Sequence, residues 1–191
     1  MTSMPRHQCL IYSGHPSDHL MALAGAIRDK LKANYRCLYL NNPSMVAGIR
    51  SCLTARGVDV DHELATGRLL LSSDRDHLVR GRFDPARMLE LLREALASAL
   101  ADGHSGLWAS GDMSWEFGPE QDFSKLVDYE LALEHLLNEE HSLSGVCQYR
   151  ADTLPEDVVR NGYGLHRALF VNETLSKIIS GHVPHQKQRT N

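Results

Sequence analysis

The feature that most constrains the fold is an alternation of short apolar runs with longer amphipathic segments. The β-prone runs fall at residues 7–12, 36–40, 69–72, 106–110 and 143–149. In the segments between them, apolar residues recur at the helical period. Strand, helix and strand at this spacing predict parallel pairing through right-handed crossovers. We therefore predict an α/β fold: a three-layer αβα sandwich with a mostly parallel central sheet.

Local signals predict where the helices begin. Ser17 is a candidate cap after the turn that follows the first strand, and Pro43 closes the second strand and starts the next helix. Asp84 and Pro85 open the clearest helix of the chain, which Gly103 ends. These caps predict three helices whose apolar sides face the sheet.

Two charged segments are predicted to face solvent. Residues 72–83 form either a mobile lid or a solvated connection. A long amphipathic helix is predicted from Phe123 to Glu139, and its glutamates are assigned to a solvated face. These glutamates are Glu130, Glu134, Glu139 and Glu140.

The carboxyl-terminal part carries weaker signals. A short helix is predicted after Pro155, with interruptions at Gly162 and Gly164. Residues 166–171 are typical of a last strand or an edge hairpin. Residues 176–191 are predicted to be a disordered tail.

Length and charge limit the classes of partner. With 191 residues the chain suits a single core, which we place at residues 5–175. A net charge of -4 gives no general attraction to nucleic acid. No run approaches the roughly 20 apolar residues that span a bilayer, and the start lacks the apolar core of a secretory signal. We expect a cytoplasmic protein that contacts neither membrane nor nucleic acid directly.

The sequence shows no cofactor motif. Its four cysteines form no Cys-x-x-Cys pair, and its 11 histidines show no metal-binding spacing, so a metal site would require convergence in space. The turn at Gly14 resembles the start of a phosphate loop but has no lysine. We therefore predict no cofactor, no metal and no catalysis.

Residues 106–117 are the most informative stretch for ligand binding. The predicted strand stops at Asp112 and presents Met113 and Trp115 beyond its carboxyl end, which is where ligands sit in open α/β sheets. Tyr12 and Asn41 are expected at the carboxyl ends of adjacent strands. The alternatives are ordinary packing of the apolar and aromatic groups and a turn role for Asp112. The predicted ligand-binding residues are Tyr12, Asn41, Asp112, Met113, Trp115 and Tyr149, with His166 as a weaker candidate.

Four blocks together resemble one family. They are residues 7–12, 36–39, 111–115 and 146–149, which read His-Gln-Cys-Leu-Ile-Tyr, Arg-Cys-Leu-Tyr, Gly-Asp-Met-Ser-Trp and Val-Cys-Gln-Tyr. The chain resembles the MEDS domain, the methanogen/methylotroph DcmR sensory domain. The resemblance implies a RecA/KaiC-like core that has lost its phosphate loop, and the sensing of small hydrocarbon derivatives. It also makes His7 and Cys9 candidate sensing residues, because an imidazolium lowers the pKa of a neighbouring thiol. The alternative is that Cys9 is an inert packing group.

The sequence thus predicts a non-catalytic sensory domain that binds a small organic ligand. The output would pass through a signalling partner or self-association, since no helix-turn-helix segment is evident, and the loops at 72–83 and 111–119 would change arrangement. One alternative is a degenerate nucleotide-binding protein of the RecA/KaiC type. The other is a ligand-independent interaction module that uses the acidic helix.

Overall fold

The computed structural model describes residues 5–15 and 17–170, and for Ser17 and Asp18 it describes only the backbone. The strands are β1 (His7–Tyr12), β2 (Tyr35–Leu40), β3 (Leu69–Ser72), β4 (Leu78–Val79), β5 (Arg82–Phe83), β6 (Gly106–Asp112) and β7 (Leu143–Arg150). The helices are α1 (Ser17–Lys32), α2 (Pro43–Ala55), α3 (Val60–Ala65), α4 (Pro85–Ala101), α5 (Met113–Glu116), α6 (Leu126–Glu139) and α7 (Glu156–Leu165). A 3-10 turn, Phe123–Lys125, precedes α6.

Five strands form one parallel sheet in the order β1-β7-β6-β2-β3. The predicted α/β architecture with a parallel central sheet is confirmed. One detail of the prediction is wrong: the strands that position Tyr12 and Asn41 are not adjacent. Tyr12 ends β1 and Asn41 follows β2, and β7 and β6 lie between these two strands. Strands β6 and β7 are buried along most of their length, which suits the centre of a parallel sheet covered on both faces.

Helices cover both faces of this sheet. Helices α1, α2 and α3 pack on one face, whereas α4, α6 and α7 pack on the other. Because side chains alternate along a strand, Cys9 on β1 and Cys147 and Tyr149 on β7 face the α6 side. Leu10 and Val146 face the α1 side.

The predicted helix starts at Pro43 and Pro85 are confirmed by their caps. The Asn42 side chain accepts a hydrogen bond from the Met45 amide at 3.0 Å, and the Asp84 side chain accepts one from the Arg87 amide at 3.0 Å. Each proline follows its cap directly, where a missing amide hydrogen costs nothing.

Helix α7 differs from its prediction because it continues through Gly162 and Gly164. Gly162 has a packing role here: a Cβ at this position would lie 2.5 Å from ring carbons of Tyr149. The absence of a side chain therefore lets α7 approach β7 closely.

Two connecting segments are more ordered than the sequence indicates. Residues 72–83 contain the β4–β5 hairpin, and although much of the segment is exposed, His77 and Phe83 are buried. After α7 the chain runs beside β1: the Cys9 amide donates to the Ala168 carbonyl at 3.0 Å, and the Phe170 amide donates to the Cys9 carbonyl at 2.7 Å. The predicted last strand is thus a single parallel bridge between Cys9 and Leu169. Residue 171 and the predicted tail at 176–191 lie outside the described residues.

Within the described part of the chain, each helix is too short or too polar to span a bilayer.

Candidate functional site

At the carboxyl edge of the sheet, Asp112 ends β6 and caps α5. Its Oδ2 accepts a hydrogen bond from the Tyr12 hydroxyl at 2.6 Å. Its Oδ1 accepts from the Ser114 amide at 2.9 Å and from the Ser114 hydroxyl. We call Tyr12, Asp112 and Ser114 the edge cluster. Both carboxylate oxygens in it already have donors from the protein.

Tyr12 is held on its other side as well. Its ring stacks on the imidazole of His19, with 3.9 Å between ring centroids. Burial, together with the negative charge of Asp112, raises the pKa of the Tyr12 hydroxyl above its usual range. The hydroxyl therefore stays protonated and acts as a donor.

The other predicted edge residues are buried. Asn41 donates from Nδ2 to the Tyr39 hydroxyl at 3.1 Å, with no solvent exposure. Helix α5 turns Met113 into the core on the α6 side, although the sequence suggested that it would be presented at a crevice. Trp115 is also buried, and its ring centroid lies 5.1 Å from that of His77. The structure therefore brings Tyr12 and Asp112 into direct contact, keeps Asn41 at the same edge of the sheet, and turns Met113 and Trp115 into the interior.

Glu116, the last residue of α5, carries its carboxyl group into the interior. The side chain packs against Gly111, where any Cβ would collide with the carboxyl group. Its Oε2 atom is buried and has no hydrogen-bond partner within the described part of the chain. Burial raises the pKa of Glu116 to about 8, and the negative charges of Glu130 and Asp112 contribute less to this rise. At neutral pH the group is therefore mainly a neutral carboxylic acid.

A cavity of about 40 Å³ lies beside Glu116, between the sheet and the helices of the α6 side. Its wall also includes Tyr129, Cys147, which pairs in register with Gly111, and His7, which lies toward the amino end of the sheet. The remaining wall is mostly apolar and includes Leu40, Met88, Leu92, Ala109, Leu133 and Leu137. Since a site of roughly 10–15 Å³ holds one water, this cavity has room for a very small molecule.

Four polar side chains meet on the same face of the sheet: His7, Glu130, Cys147 and His166. We call them the buried cluster. His7 Nε2 lies 3.2 Å from Glu130 Oε2 and 3.5 Å from Cys147 Sγ. Glu130 Oε2 is 3.7 Å from Cys147 Sγ and 3.5 Å from His166 Nε2. One donor atom from each residue lies within 4.8 Å of all the others.

Both imidazoles of the buried cluster are oriented from behind. His7 Nδ1 is 2.9 Å from the carboxylate of Glu134, and His166 Nδ1 is 2.7 Å from the Gly162 carbonyl. Because both partners are acceptors, each Nδ1 carries a proton. The Nε2 atoms lie on the opposite side of each ring, next to Glu130 Oε2.

Charge in the buried cluster is concentrated on one pair. Burial alone would lower the pKa of His7, but hydrogen bonds to Glu130 and Glu134 raise it to about 9. Burial alone would raise the pKa of Glu130, yet its contacts with His7 and His166 lower it. Burial lowers the pKa of His166, which is therefore neutral.

Two more residues selected from the sequence border this cluster. The Tyr149 hydroxyl donates to Glu130 Oε1, so Tyr149 lies on the α6 side and away from Tyr12. Cys9 pairs in register with Cys147. Burial, followed by the charge of Glu130, raises the pKa of the Cys9 thiol to about 12. This thiol is therefore protonated at neutral pH, which opposes the thiolate form that the proposed sensing role would use. The sensing role of Cys9 stays a prediction.

The assignment of Glu130 to a solvated face is wrong. Glu130 is 1% exposed, and it lies on the buried stripe of α6, four residues after Leu126 and three before Leu133. This helical spacing was a signal that the charge pattern obscured. Glu116 was also missed, although its position between Trp115 and Phe117 places a carboxyl group among buried aromatic residues.

The chain matches a protein family by sequence and a solved structure by fold. The family model of MEDS, the methanogen/methylotroph DcmR sensory domain, matches residues 6–167. No curated protein matches the sequence. In fold, the chain is similar to the crystal structure of an uncharacterized protein from Pyrococcus horikoshii in complex with an unknown peptide. The TM-score is 0.61 at 14% identity, and the match covers 88% of this chain and 77% of that one.

Proposed function

This chain belongs to the MEDS family of sensory domains, and on that premise we propose that it detects a small, mostly apolar organic molecule in the cavity beside Glu116. The observation that carries the proposal is the buried Glu116 carboxyl group, which lies at a mostly apolar cavity and has no hydrogen-bond partner on Oε2 among residues 5–15 and 17–170. Small-molecule sites combine an apolar wall with a few polar groups that orient the ligand. The cavity volume restricts the ligand to about three non-hydrogen atoms.

The neutral state of Glu116 fits such a ligand. A protonated carboxyl group both donates and accepts hydrogen bonds, so it recognises an alcohol, an amine or a carbonyl oxygen attached to a short carbon chain. The apolar wall favours the carbon or halogen part. A nucleotide is too large for this cavity, and His7, the cationic group in its wall, is already paired with Glu130 and Glu134.

Helix α5 would transmit binding to the surface. Its last residue, Glu116, contacts the cavity, and its cap, Asp112, holds Tyr12 at the edge of the sheet. Its backbone also contacts the β4–β5 segment, because His77 Nε2 lies 2.7 Å from the Glu116 carbonyl oxygen. A ligand that prefers one position of α5 therefore shifts both the edge cluster and residues 72–83. In this proposal Asp112 and Trp115 transmit the signal to a partner or a second copy.

A thermal-shift panel tests the ligand class. Short alcohols, amines and halogenated compounds are compared with Mg-ATP and Mg-GTP, and a larger aromatic compound serves as a size control. At a hundredfold excess over Kd, a ligand raises the free energy of unfolding by about 2.7 kcal/mol, or Tm by roughly 5–10 °C for this size. We expect shifts with the short compounds alone. Stabilisation by nucleotides alone would overturn the proposal in favour of a nucleotide-binding protein.

Two variants place the ligand. Glu116→Gln keeps the shape but changes the hydrogen-bonding pattern, and Ala109→Val adds volume at the cavity wall. Both are expected to reduce the ligand-induced shift, whereas the exposed Glu120→Gln leaves it unchanged. If both cavity variants bind as the unchanged protein does, the ligand site lies elsewhere. A stable complex with a partner in the absence of any ligand would favour the interaction module.

A further inference from the structure

We propose that the buried cluster of His7, Glu130, Cys147 and His166 binds one divalent transition-metal ion in tetrahedral geometry, with Zn²⁺ as the best match. The four side chains offer two imidazole nitrogens, one thiolate sulfur and one carboxylate oxygen. This mixture of donors is typical of Zn²⁺ sites and unlike the all-oxygen sites of Mg²⁺ or Ca²⁺. The cluster shares His7 and Cys147 with the wall of the cavity beside Glu116, but metal binding does not require the ligand proposed there.

The spacing of the donor atoms fits one central ion. Zinc bonds of about 2.0–2.1 Å to nitrogen or oxygen and 2.3 Å to sulfur, at tetrahedral angles, separate the donors by about 3.3–3.6 Å. Four of the six distances between donor atoms measure 3.2, 3.5, 3.5 and 3.7 Å, and all six lie within 4.8 Å. An ion would draw His166 Nε2 closer to His7 Nε2 and Cys147 Sγ.

The surroundings orient the donors as in known metal sites. Metal-binding histidines usually donate their other ring nitrogen to a carboxylate or a backbone carbonyl. His7 does so to Glu134 and His166 does so to Gly162. The second oxygen of Glu130 accepts from the Tyr149 hydroxyl, which leaves Oε2 for the ion.

An unpartnered nitrogen distinguishes this cluster from an ordinary buried ion pair. His166 Nε2 is buried, has no hydrogen-bond partner among the residues that the structure describes, and is directed toward Glu130 Oε2. Such an atom is costly in a protein interior unless it binds something. A metal ion satisfies it.

Charge balance also favours the ion. Binding displaces one proton from His7 Nε2 and one from Cys147 Sγ, since metal ligands must be deprotonated. The two negative ligands, Glu130 and Cys147, then balance the two positive charges of the ion. The site is neutral overall, as burial requires.

The bound ion would join four parts of the fold. Its ligands come from β1, α6, β7 and the segment directly after α7. With four protein ligands the site is closed, so the ion stabilises the fold instead of activating water. It would fix the segment at His166 to the sheet.

Cobalt tests the site in the unchanged protein. A tag-free, metal-stripped sample of the 191-residue chain is titrated with Co²⁺ under reducing conditions. We expect saturation at one equivalent, with the intense visible bands of tetrahedral Co²⁺ and a thiolate charge-transfer band in the near ultraviolet. Weak bands of octahedral Co²⁺, or no binding, would overturn the proposal.

Substitutions assign the ligands through competition for Zn²⁺ with a chromophoric chelator. Cys147→Ser and His166→Gln are expected to weaken binding by more than about 100-fold, and Glu134→Ala by about 10- to 100-fold. Matched controls are Cys52→Ser, which alters a thiol outside the cluster, and His135→Gln, which alters an exposed histidine. Unchanged affinity in Cys147→Ser and His166→Gln, with folding verified by circular dichroism, would overturn the assignment.

Discussion

The edge cluster and the buried cluster are both built around a buried carboxylate, but they use it differently. At the edge, Asp112 is saturated by neighbours, because Ser114 is two residues away and Tyr12 completes the set. In the buried cluster, Glu130 Oε2 lies near two imidazole nitrogens and one sulfur atom, which come from three other parts of the chain. One of these atoms, His166 Nε2, lacks a hydrogen-bond partner in the described ranges of the chain.

This comparison shows which carboxylate has neighbouring groups that remain available to bind a ligand. A carboxylate used as a helix cap is a complete local structure, and its two oxygens stabilise the start of α5. A carboxylate that gathers two imidazoles and a thiol concentrates charge and donor atoms, which is characteristic of a functional site. The edge cluster is therefore assigned to transmission and the buried cluster to metal binding.

The largest expected effect comes from Glu130→Gln in the metal-free protein. Removing this charge leaves protonated His7 with Glu134 as its remaining carboxylate partner, and breaking one partner of a buried pair costs about 3–5 kcal/mol. Urea unfolding at pH 7 should show this loss in the free energy of unfolding. Glu139→Gln on the exposed side of the same helix should change it by less than about 0.5 kcal/mol. Equal stability of both variants would remove the distinction between the two clusters.

The next effect is a pH dependence of the free energy of unfolding that arises from Glu116. The negative charges of Glu130 in the buried cluster and Asp112 in the edge cluster both raise the pKa of this residue. Its pKa rises from 4.5 to about 8 on folding, while the hydrogen bond with Tyr129 opposes this rise. The stabilising contribution of the protonated group is therefore complete below about pH 4.5 and is lost as the pH rises toward 8. Relative to Glu116→Gln, the unchanged protein should lose about 1.4 kcal/mol per pH unit across that window.

Urea unfolding at several pH values measures this difference. Glu120→Gln is the control, because its side chain is exposed beside Arg82. A difference between Glu116→Gln and the unchanged protein that stays constant from pH 5 to 7.5 would show that Glu116 is ionised in the folded state. The proposed neutral ligand contact would then be wrong.

The smallest effect is expected at the edge. Asp112→Asn keeps an oxygen that caps α5 but loses the charged acceptor of the Tyr12 hydroxyl, at a cost of about 1–2 kcal/mol. Asp122→Asn is the matched control, since Asp122 also caps a turn two residues on, at Ser124, but is exposed. Its change should stay below about 0.5 kcal/mol. A loss at Asp112 as large as that at Glu130 would contradict the view that the edge cluster is a local cap.

Much of the fold is predictable from local signals. The strand beginning at His7, the helix starts at Pro43 and Pro85 and the end of β6 at Asp112 agree with the structure. Caps, prolines and apolar periodicity act within a few residues, so the sequence displays them directly. The parallel arrangement follows from the regular alternation of strands and helices.

The site was less accessible to the same reasoning. Strand order placed β7 beside β1, which brought Cys147 next to His7, whereas the alternation of side chains along each strand put Tyr149 and Tyr12 on opposite faces of the sheet. The sequence did single out His7, Tyr149 and, more weakly, His166, but it gave no reason to group them. Glu130 was hidden because the charges around it suggested a solvated face.

The sequence by itself determined the element types, their boundaries and a parallel α/β sandwich, because backbone hydrogen bonding and side-chain periodicity are local properties. Only the tertiary structure decided which polar groups meet. His7 and Cys147 are 140 residues apart along the chain and 3.5 Å apart in space. Such proximity depends on the order of strands and on how α6 and α7 pack on the sheet, which no single segment encodes. The buried cluster is therefore a product of packing, whereas the Asp112 cap is a product of its own turn.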